Sequence, residues 1–235
     1  MKFSVAVLLG VSFASLLSAA DPIPNAFRPG TRILFQGDSI TELGRGRTLD
    51  PNHILGHSYV FLIAARYGSM LPDRRLVFLN RAVQGNTVAE MAARWKKDTL
   101  DLKPDILSIL IGINDIKQGI SAERYGATYD QLLADTVAAL PNVRLVLGQP
   151  FTLQVNPHVD DWMEWRARVQ QGQDLVAKLA KKYHAAMVPY QEVFDKACAR
   201  APSDYWIWDA VHPTYSGHQL MEQEWIRTVK KFWPR

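Results

Sequence analysis

Short apolar runs and longer amphipathic segments alternate along this chain five times, without internal repeats or low-complexity stretches. The run Ile106–Ile111 is almost entirely Ile and Leu, which is typical of a strand covered on both faces of a parallel sheet. The pattern predicts an α/β fold, a three-layer α/β/α sandwich around a five-stranded parallel sheet with right-handed crossovers. The predicted strands are 32–36, 76–79, 106–111, 143–147 and 186–189, and the predicted helices are 59–67, 88–95, 121–140, 161–183, 192–199 and 215–232.

Individual residues predict where several of these helices begin and end. Gly68, after the first helix, is a favourable C-cap. Thr87 is a favourable N-cap for the second helix, and Pro141 stops the third. The segments 44–51, 149–160 and 200–213 are predicted as loops.

The composition is that of an ordinary globular protein. The chain has 235 residues, of which 48% are hydrophobic and 21% charged, and no linker divides it, so we expect residues 21–235 to form one domain. The formal net charge of +4 is spread along the chain, which argues against a nucleic-acid partner. The single cysteine, Cys198, excludes an internal disulfide, and we expect it to be a buried filler.

The first 20 residues have the pattern of a signal peptide. Lys2 forms a minimal positive n-region, residues 3–17 are apolar apart from small residues, and residues 18–20 (Ser-Ala-Ala) offer a cleavage site. The apolar run is shorter than the roughly 20 residues that span a bilayer. We therefore expect a mature chain that is secreted or periplasmic, without lasting membrane insertion.

Residues suited to catalysis follow three of the predicted strands. Ser39 lies just beyond the first strand, Gly85 beyond the second and Asn114 beyond the third. The carboxyl ends of parallel strands share one edge of the sheet, and open α/β sheets place their sites there. A fourth loop, before the last helix, carries Asp209 and His212.

These segments resemble the four sequence blocks of the SGNH (GDSL) hydrolase family of esterases and lipases. The blocks are Gly-Asp-Ser-Ile-Thr at 37–41, Gly85 within 82–86, Gly-Ile-Asn-Asp at 112–115 and Asp-Ala-Val-His at 209–212. The resemblance implies a flavodoxin-like fold with Ser39 as nucleophile. It also implies an oxyanion hole made by the N–H groups of Ser39 and Gly85 and the side-chain amide of Asn114.

A serine esterase needs residues of these types. A serine hydroxyl is a weak nucleophile until a base takes its proton. His212 is the candidate base, because a neutral imidazole accepts that proton and returns it to the leaving alcohol. Asp209 can accept from the other ring nitrogen and fix the tautomer. Thr41 stands where the nucleophile elbow of α/β-hydrolases needs its second glycine, so this motif is a different one.

Each block also has a purely structural interpretation. Asp38 and Ser39 are good helix caps, Gly85 suits a turn, and Asn114 suits an Asx-rich loop. Asp209 and His212 could form an ordinary loop pair. All of these interpretations must hold together for the hydrolase prediction to fail.

For the substrate, we expect short acyl esters, above all acetyl groups on carbohydrate, carried by a small molecule or an oligosaccharide. No long apolar lid is visible to shelter a fatty chain, and tryptophan rings near the predicted site offer apolar faces to a sugar. One alternative is a lipolytic enzyme, a lysophospholipase or thioesterase. Another is a non-catalytic glycan-binding module on the same fold. The tryptophans, which could instead be packing residues, are Trp162, Trp165, Trp206 and Trp208.

The sequence predicts neither a cofactor nor a metal ion. His53 and His57 have the spacing of a metal-binding pair, but Gly56 lies between them and no third ligand is evident, which favours an ordinary loop. His218 falls within the last predicted helix, and we expect it to be structural. The oligomeric state stays open.

Overall fold

The computed structural model describes residues 24–48, 50–155 and 161–234, so the predicted signal peptide lies outside the described residues. It has one parallel sheet in the order β2-β1-β3-β4-β5, which confirms the predicted five-stranded parallel sheet. The order is that of the flavodoxin-like doubly wound folds. The strands are β1 (Arg32–Gly37), β2 (Val77–Asn80), β3 (Ile106–Leu110), β4 (Arg144–Gly148) and β5 (Ala186–Val188).

Helices cover both faces of this sheet. The longest is α7, with 21 residues, followed by α6 and α10 with 18 each, and several of the others are a single turn. The helices are α1 (Ser39–Glu42), α2 (Tyr59–Met70), α3 (Val88–Ala93), α4 (Trp95–Asp98), α5 (Ile113–Lys117), α6 (Ala122–Ala139), α7 (Trp162–Lys182), α8 (Tyr190–Ala197), α9 (Ser203–Trp206) and α10 (Tyr215–Phe232).

Successive side chains of the central strands point to opposite faces and build two separate cores. Ile33 and Phe35 of β1 pack with residues of α2, α8 and α10, including Trp225. Leu34, between them, packs with residues of α3, α6 and α7, including Tyr129. Because strand side chains alternate with a period of two, a fully apolar strand buries both of its faces. The result is the predicted three-layer sandwich.

The edge of the sheet that matters for function is where the strand order reverses, between β1 and β3. The last residue of β1, Gly37, pairs with Leu110 at the end of β3. Gly37 has φ +156°, and a Cβ there would lie 2.3 Å from the Leu110 carbonyl oxygen. Only glycine lets the two strands approach so closely at the point where the chain leaves β1 toward Ser39.

Three expectations about helices need correction. Helix α2 runs through Gly68 to Met70 and ends at Leu71, so Gly68 is a helical residue and not the C-cap. The predicted second helix is interrupted at Arg94, which separates α3 from α4. The predicted loop 200–213 contains the one-turn helix α9. Thr87 is confirmed as an N-cap, in a capping box with Glu90.

Within the described ranges, no helix is both long enough and apolar enough to cross a membrane.

Candidate active site

Beyond the end of β1, Ser39 forms a hydrogen-bonded series with Asp209 and His212, two residues of one loop that lies about 170 positions later in the chain. The Oγ of Ser39 lies 2.8 Å from Nε2 of His212. The Nδ1 of His212 lies 2.6 Å from Oδ2 of Asp209. A carboxylate only accepts, so Nδ1 donates to it and Nε2 is left to accept from the Ser39 hydroxyl. The sequence predicted all three residues, and the fold brings all three together.

Ser39 is presented by the turn from β1 into α1. Asp38 is the N-cap of α1, and its Oδ1 accepts from the Ile40 N–H at 3.0 Å. Ser39 is therefore the first residue of the helix, where a main-chain N–H has no partner inside the helix. The proposed capping role of Asp38 and a chemical role of Ser39 are thus compatible.

The loop between α9 and α10 holds Asp209 and His212 in a fixed turn. The Oδ1 of Asp209 accepts from the N–H groups of Val211 at 3.2 Å and His212 at 2.8 Å, an Asx-type turn. Ala210, between Asp209 and Val211, has φ +78°, an uncommon conformation for a residue with a Cβ. Its carbonyl accepts from Thr152 Oγ1 at 3.0 Å, which ties the turn to the segment after β4.

The carboxylate of Asp209 is stabilised in its charged form. Partial burial raises the pKa of Asp209, but the hydrogen bonds from His212 outweigh it, and the net pKa lies below the ordinary value. A charged carboxylate at Nδ1 favours an imidazolium at His212 once a proton arrives at Nε2. The geometry is therefore that of a nucleophile, a base and a residue that orients the base.

Gly85 and Asn114 lie on the two segments that flank the end of β1. The loop between β2 and α3, residues 81–87, docks on β1 through the Val83 N–H, which donates to the Gly37 carbonyl at 3.1 Å. Gly85 in this loop has φ +77°, and a Cβ on it would meet open space. Glycine is thus favoured there by the backbone conformation. Asn114, in α5, donates from Nδ2 to the Asn86 carbonyl at 3.1 Å.

Two buried carboxyl groups lie in the motifs of Ser39 and Asn114. Asp115 accepts from the Val88 N–H, with its two oxygens at 3.2 and 3.1 Å, and so joins α5 to the start of α3. Burial raises the pKa of Asp115 to about 6. Burial likewise raises the pKa of Asp38 to about 7, and the charge of Asp115 adds to the shift. Both residues lie within the predicted motifs, but the contact of Asp115 with Val88, 27 residues away, exists only in the folded chain.

One of the four tryptophans singled out in the sequence presents its ring to solvent beside His212. Trp208 is 66% exposed, and its ring lies 6.1 Å from the imidazole, close to parallel. Trp206 is buried and donates to the Ala201 carbonyl. Trp165 packs partly buried and donates to Thr152, and Trp162 is half-buried at the start of α7. Trp206 is therefore a packing residue and Trp208 a candidate contact.

His53 and His218 take part in local structure. In the segments that the structure describes, no three side chains of His, Cys, Asp or Glu gather as a metal site would require. His53 hydrogen-bonds Asp50 at 2.5 Å. His218 is buried in α10 and accepts from the Tyr59 N–H at 3.2 Å. Cys198 is half-buried.

Asn86 is a site residue that the sequence did not single out. It lies beside Gly85, but nothing in the pattern shows that its carbonyl meets Asn114, which is 28 residues away. Its position next to Gly85 is the only feature of the sequence that points to Asn86 as a site residue. Contacts of this kind follow from the docking of α5 against the β2–α3 loop.

Comparison with known proteins agrees with this geometry. A model of the GDSL-like Lipase/Acylhydrolase family matches residues 35–220. The acetylxylan esterase of Geobacillus stearothermophilus is 29% identical over 218 residues, which are 88% of this chain and 97% of that protein. The crystal structure of Axe2, an acetylxylan esterase from Geobacillus stearothermophilus, superposes with a TM-score of 0.77 at 30% identity, covering 89% of this chain and 99% of the other. A structure described as a GDSL-like lipase, from Parabacteroides merdae, has a TM-score of 0.81 at 34% identity, with 86% and 97% covered.

The family model covers most of the chain, and the relatives match it over nearly their whole length. The chain therefore belongs to the GDSL-like lipase/acylhydrolase family and is a carboxylic ester hydrolase.

Proposed function

We propose that this protein is a serine esterase that removes acetyl groups from carbohydrate through an acyl-enzyme on Ser39. The observation that carries the proposal is the unbroken series of hydrogen bonds from Ser39 Oγ to His212 and from His212 to Asp209. Nucleophile, base and orienting carboxylate stand within hydrogen-bonding distance in the order that acyl transfer requires.

In the acylation step, Ser39 Oγ bonds to the ester carbonyl carbon while its proton passes to Nε2 of His212. The tetrahedral intermediate collapses as the bond from carbon to the sugar oxygen breaks, and His212 returns the proton to that oxygen. Water then attacks the acetyl-Ser39 ester with His212 again as base. Acetate leaves, and the hydroxyl of Ser39 is restored.

The negative oxygen of each intermediate needs donors that are already in place. We assign this role to the N–H groups of Ser39 and Gly85 and the side-chain amide of Asn114. Docking of the β2–α3 loop on Gly37 supports the assignment, since it brings Gly85 to the end of β1. The hydrogen bond from Asn114 to Asn86 uses one amide hydrogen and leaves the second for the substrate.

Two observations support an acetylated carbohydrate as substrate. A relative that matches 88% of this chain is an acetylxylan esterase. The ring of Trp208 is 66% exposed beside His212, and such a ring offers an apolar face for stacking on a sugar. The similarity to a protein described as a GDSL-like lipase favours lipolysis as the second candidate.

The experiment compares p-nitrophenyl acetate, butyrate and octanoate with acetylated xylo-oligosaccharides, using the chain from Asp21 onward and Ser39→Ala beside it. We expect the highest kcat/KM on acetate, release of acetate from the oligosaccharides, and loss of turnover in the folded variant. Highest activity on octanoate would move the assignment to lipolysis. Binding of the oligosaccharides without hydrolysis of any ester would support the glycan-binding module.

Export is a second part of the proposal, and it rests on the residue pattern of positions 1–20. When the full chain is expressed in a bacterium, we expect the protein in the periplasm or medium with Asp21 as its first residue. Retention of residues 1–20 on an intracellular protein would contradict export without affecting the esterase proposal.

A further inference from the structure

Arg94 lies at the junction of α3 and α4 and turns its side chain inward, where it is only 18% exposed. Its Nε donates to Asn86 Oδ1 at 2.8 Å. Its Nη1 shares two hydrogens among three acceptors, the Arg81 carbonyl at 2.7 Å, Gln36 Oε1 at 3.0 Å and Asp98 Oδ2 at 3.2 Å. One guanidinium thus connects β1, both ends of the β2–α3 loop and α4.

The contact with Gln36 ties this cluster to the strand that carries the nucleophile. Gln36 is fully buried in β1, three residues before Ser39. Its Nε2 is also engaged, donating to the Asp98 carbonyl at 2.9 Å and to Thr99 Oγ1 at 2.7 Å. With both ends of its amide bonded, Gln36 gives Arg94 a fixed point of attachment.

The contact of Arg94 with Asn86 connects the guanidinium to Asn114, on the other side of the site from β1. The side chain of Asn86 is held by Arg94, and its main-chain carbonyl accepts from Asn114 Nδ2 at 3.1 Å. That bond fixes which way the Asn114 amide is turned, since the carbonyl can pair only with the NH₂ end. The orientation of Asn114 therefore depends on where the Asn86 carbonyl stands.

We propose that Arg94 is a positioning residue that acts through Asn86 to hold the Asn114 amide and the Gly85 loop in register with Ser39. The inference rests on the proposed function, because it concerns the donors of the oxyanion hole. A guanidinium is needed because its planar fork reaches partners in several directions at once, whereas the ammonium of a lysine is a point charge on a flexible stem.

Other contacts keep the loop close to β1 when Arg94 is changed. Arg45 donates to the Ala82 carbonyl at 3.1 Å, and Val83 donates to the Gly37 carbonyl. Thr87 stays held by its capping box with Glu90. Loss of Arg94 should therefore loosen the Asn86 end of the loop and leave the fold in place.

The test measures Arg94→Lys and Asn86→Ala with p-nitrophenyl acetate. Displacement of a catalytic donor by about 1 Å costs up to about 100-fold in rate, so we expect kcat to fall about 10- to 100-fold while KM changes by less than about threefold. Affinity for an alkylboronic acid, which mimics the tetrahedral intermediate on Ser39, should fall by a similar factor. The kcat of the double variant should be little lower than that of either single variant, because both substitutions break the same connection between Arg94 and Asn86.

Two matched variants separate positioning from general destabilisation. Asn86→Asp keeps an acceptor for Arg94 and should restore most of the kcat lost in Asn86→Ala. Arg227→Lys makes the same change at an ion pair with Glu224 on α10 and should leave kcat as it was. A normal kcat in Arg94→Lys, or equal losses in Arg94→Lys and Arg227→Lys, would overturn the inference.

A second readout does not need turnover. The side-chain amide resonances of Asn114, assigned with Asn114→Ala in ¹⁵N-labelled protein, should shift in both Arg94→Lys and Asn86→Ala. If the wild-type protein hydrolyses no ester, the proposed function fails, and unshifted resonances would overturn this inference separately. If Ser39→Ala abolishes turnover but Arg94→Lys retains it, the function stands and the inference fails.

Discussion

Asn114 shows how much of the site depends on a single side chain. Its amide stands in the first turn of α5, fixed by the Asn86 carbonyl. Removal of one oxyanion donor costs roughly 10²–10³ in kcat. We therefore expect Asn114→Ala to reduce kcat by about that factor with KM little changed, as measured by steady-state hydrolysis of p-nitrophenyl acetate.

Asn142→Ala is the matched control, since Asn142 lies in an exposed turn before β4. Its kcat and KM for p-nitrophenyl acetate should equal those of the wild type. An effect of Asn114→Ala confined to KM would contradict an oxyanion role, because it would mean that Asn114 binds the ground state and the transition state equally.

We expect the ring of Trp208 to bind the sugar part of the substrate. Removal of its exposed ring should raise KM for acetylated xylo-oligosaccharides by about 2- to 10-fold, since an aromatic contact contributes about 0.5–1.5 kcal/mol beyond its area. Turnover of p-nitrophenyl acetate should change much less. Tyr205→Ala, which removes another exposed ring, is the comparison. Equal losses on both substrates in Trp208→Ala would mean that Trp208 supports His212 and does not bind sugar.

The sequence is a good guide to residues whose chemistry is local and a poor guide to those that act through contacts. Ser39, Asp209 and His212 were predicted because each sits in a short motif, and the structure brings them together. Asn86 ends the second sequence block but had no role assigned to it, and Arg94 lies in no motif. Their link to Asn114 and Gln36 exists only after α5, β1 and the β2–α3 loop have packed.

At the scale of elements, Gly68 gives a direct test of where α2 ends. It lies inside the helix, exposed, and a Cβ on it would meet nothing within 4 Å. Glycine in a helix interior costs about 0.5–1 kcal/mol relative to alanine. Gly68→Ala should therefore raise the free energy of unfolding by about that amount in urea titration. A loss of stability would mean that the helix ends at Gly68, as the sequence suggested.

Gly217, in the first turn of α10, has no room for a side chain, in contrast to Gly68. A Cβ on it would lie 2.2 Å from the Trp206 carbonyl oxygen and 2.8 Å from Pro213 Cβ. Gly217→Ala should lower the free energy of unfolding by about 1–3 kcal/mol through overpacking. It should also reduce kcat, because the displaced residues flank the loop of His212. A variant as stable as the wild type would contradict this close packing of α9 on α10.

The strands and the long helices were predictable, and the very short helices were not. The central strand β3 was the easiest to predict, because all five of its residues are buried and four of them are Ile or Leu. The helices α1, α5 and α9 have four or five residues, too few to show a period of 3.6. Two of these three, α1 and α5, carry Ser39 and Asn114, so the sequence located these residues without the turns that orient them.

At the scale of the whole molecule, buried His218 makes stability depend on pH. Burial, with a smaller effect of His212, lowers the pKa of His218 to about 4. Between about pH 6.5 and 4 the unfolded chain binds this proton and the folded protein does not, so stability falls as the pH falls through that window. From pH 7.5 to 4.5 the loss due to His218 should be about 2–3 kcal/mol.

The measurement is urea unfolding of wild type and His218→Gln at both pH values. Asp38 and Asp115, whose pKa values are raised by burial, act in the opposite direction, so the comparison between variants isolates the histidine. The variant should lose about 2–3 kcal/mol less than the wild type on acidification. Equal slopes in wild type and His218→Gln would contradict the account.

The acyl-enzyme on Ser39 can be detected directly. Wild-type protein is mixed with p-nitrophenyl acetate, quenched in acid within the first turnovers, digested and analysed by mass spectrometry. We predict one added acetyl group on the peptide that contains Ser39, and none on that peptide in Ser39→Ala. Ester hydrolysis that proceeds with no acetyl group on Ser39, or with the label on another residue, would contradict a covalent mechanism at this site.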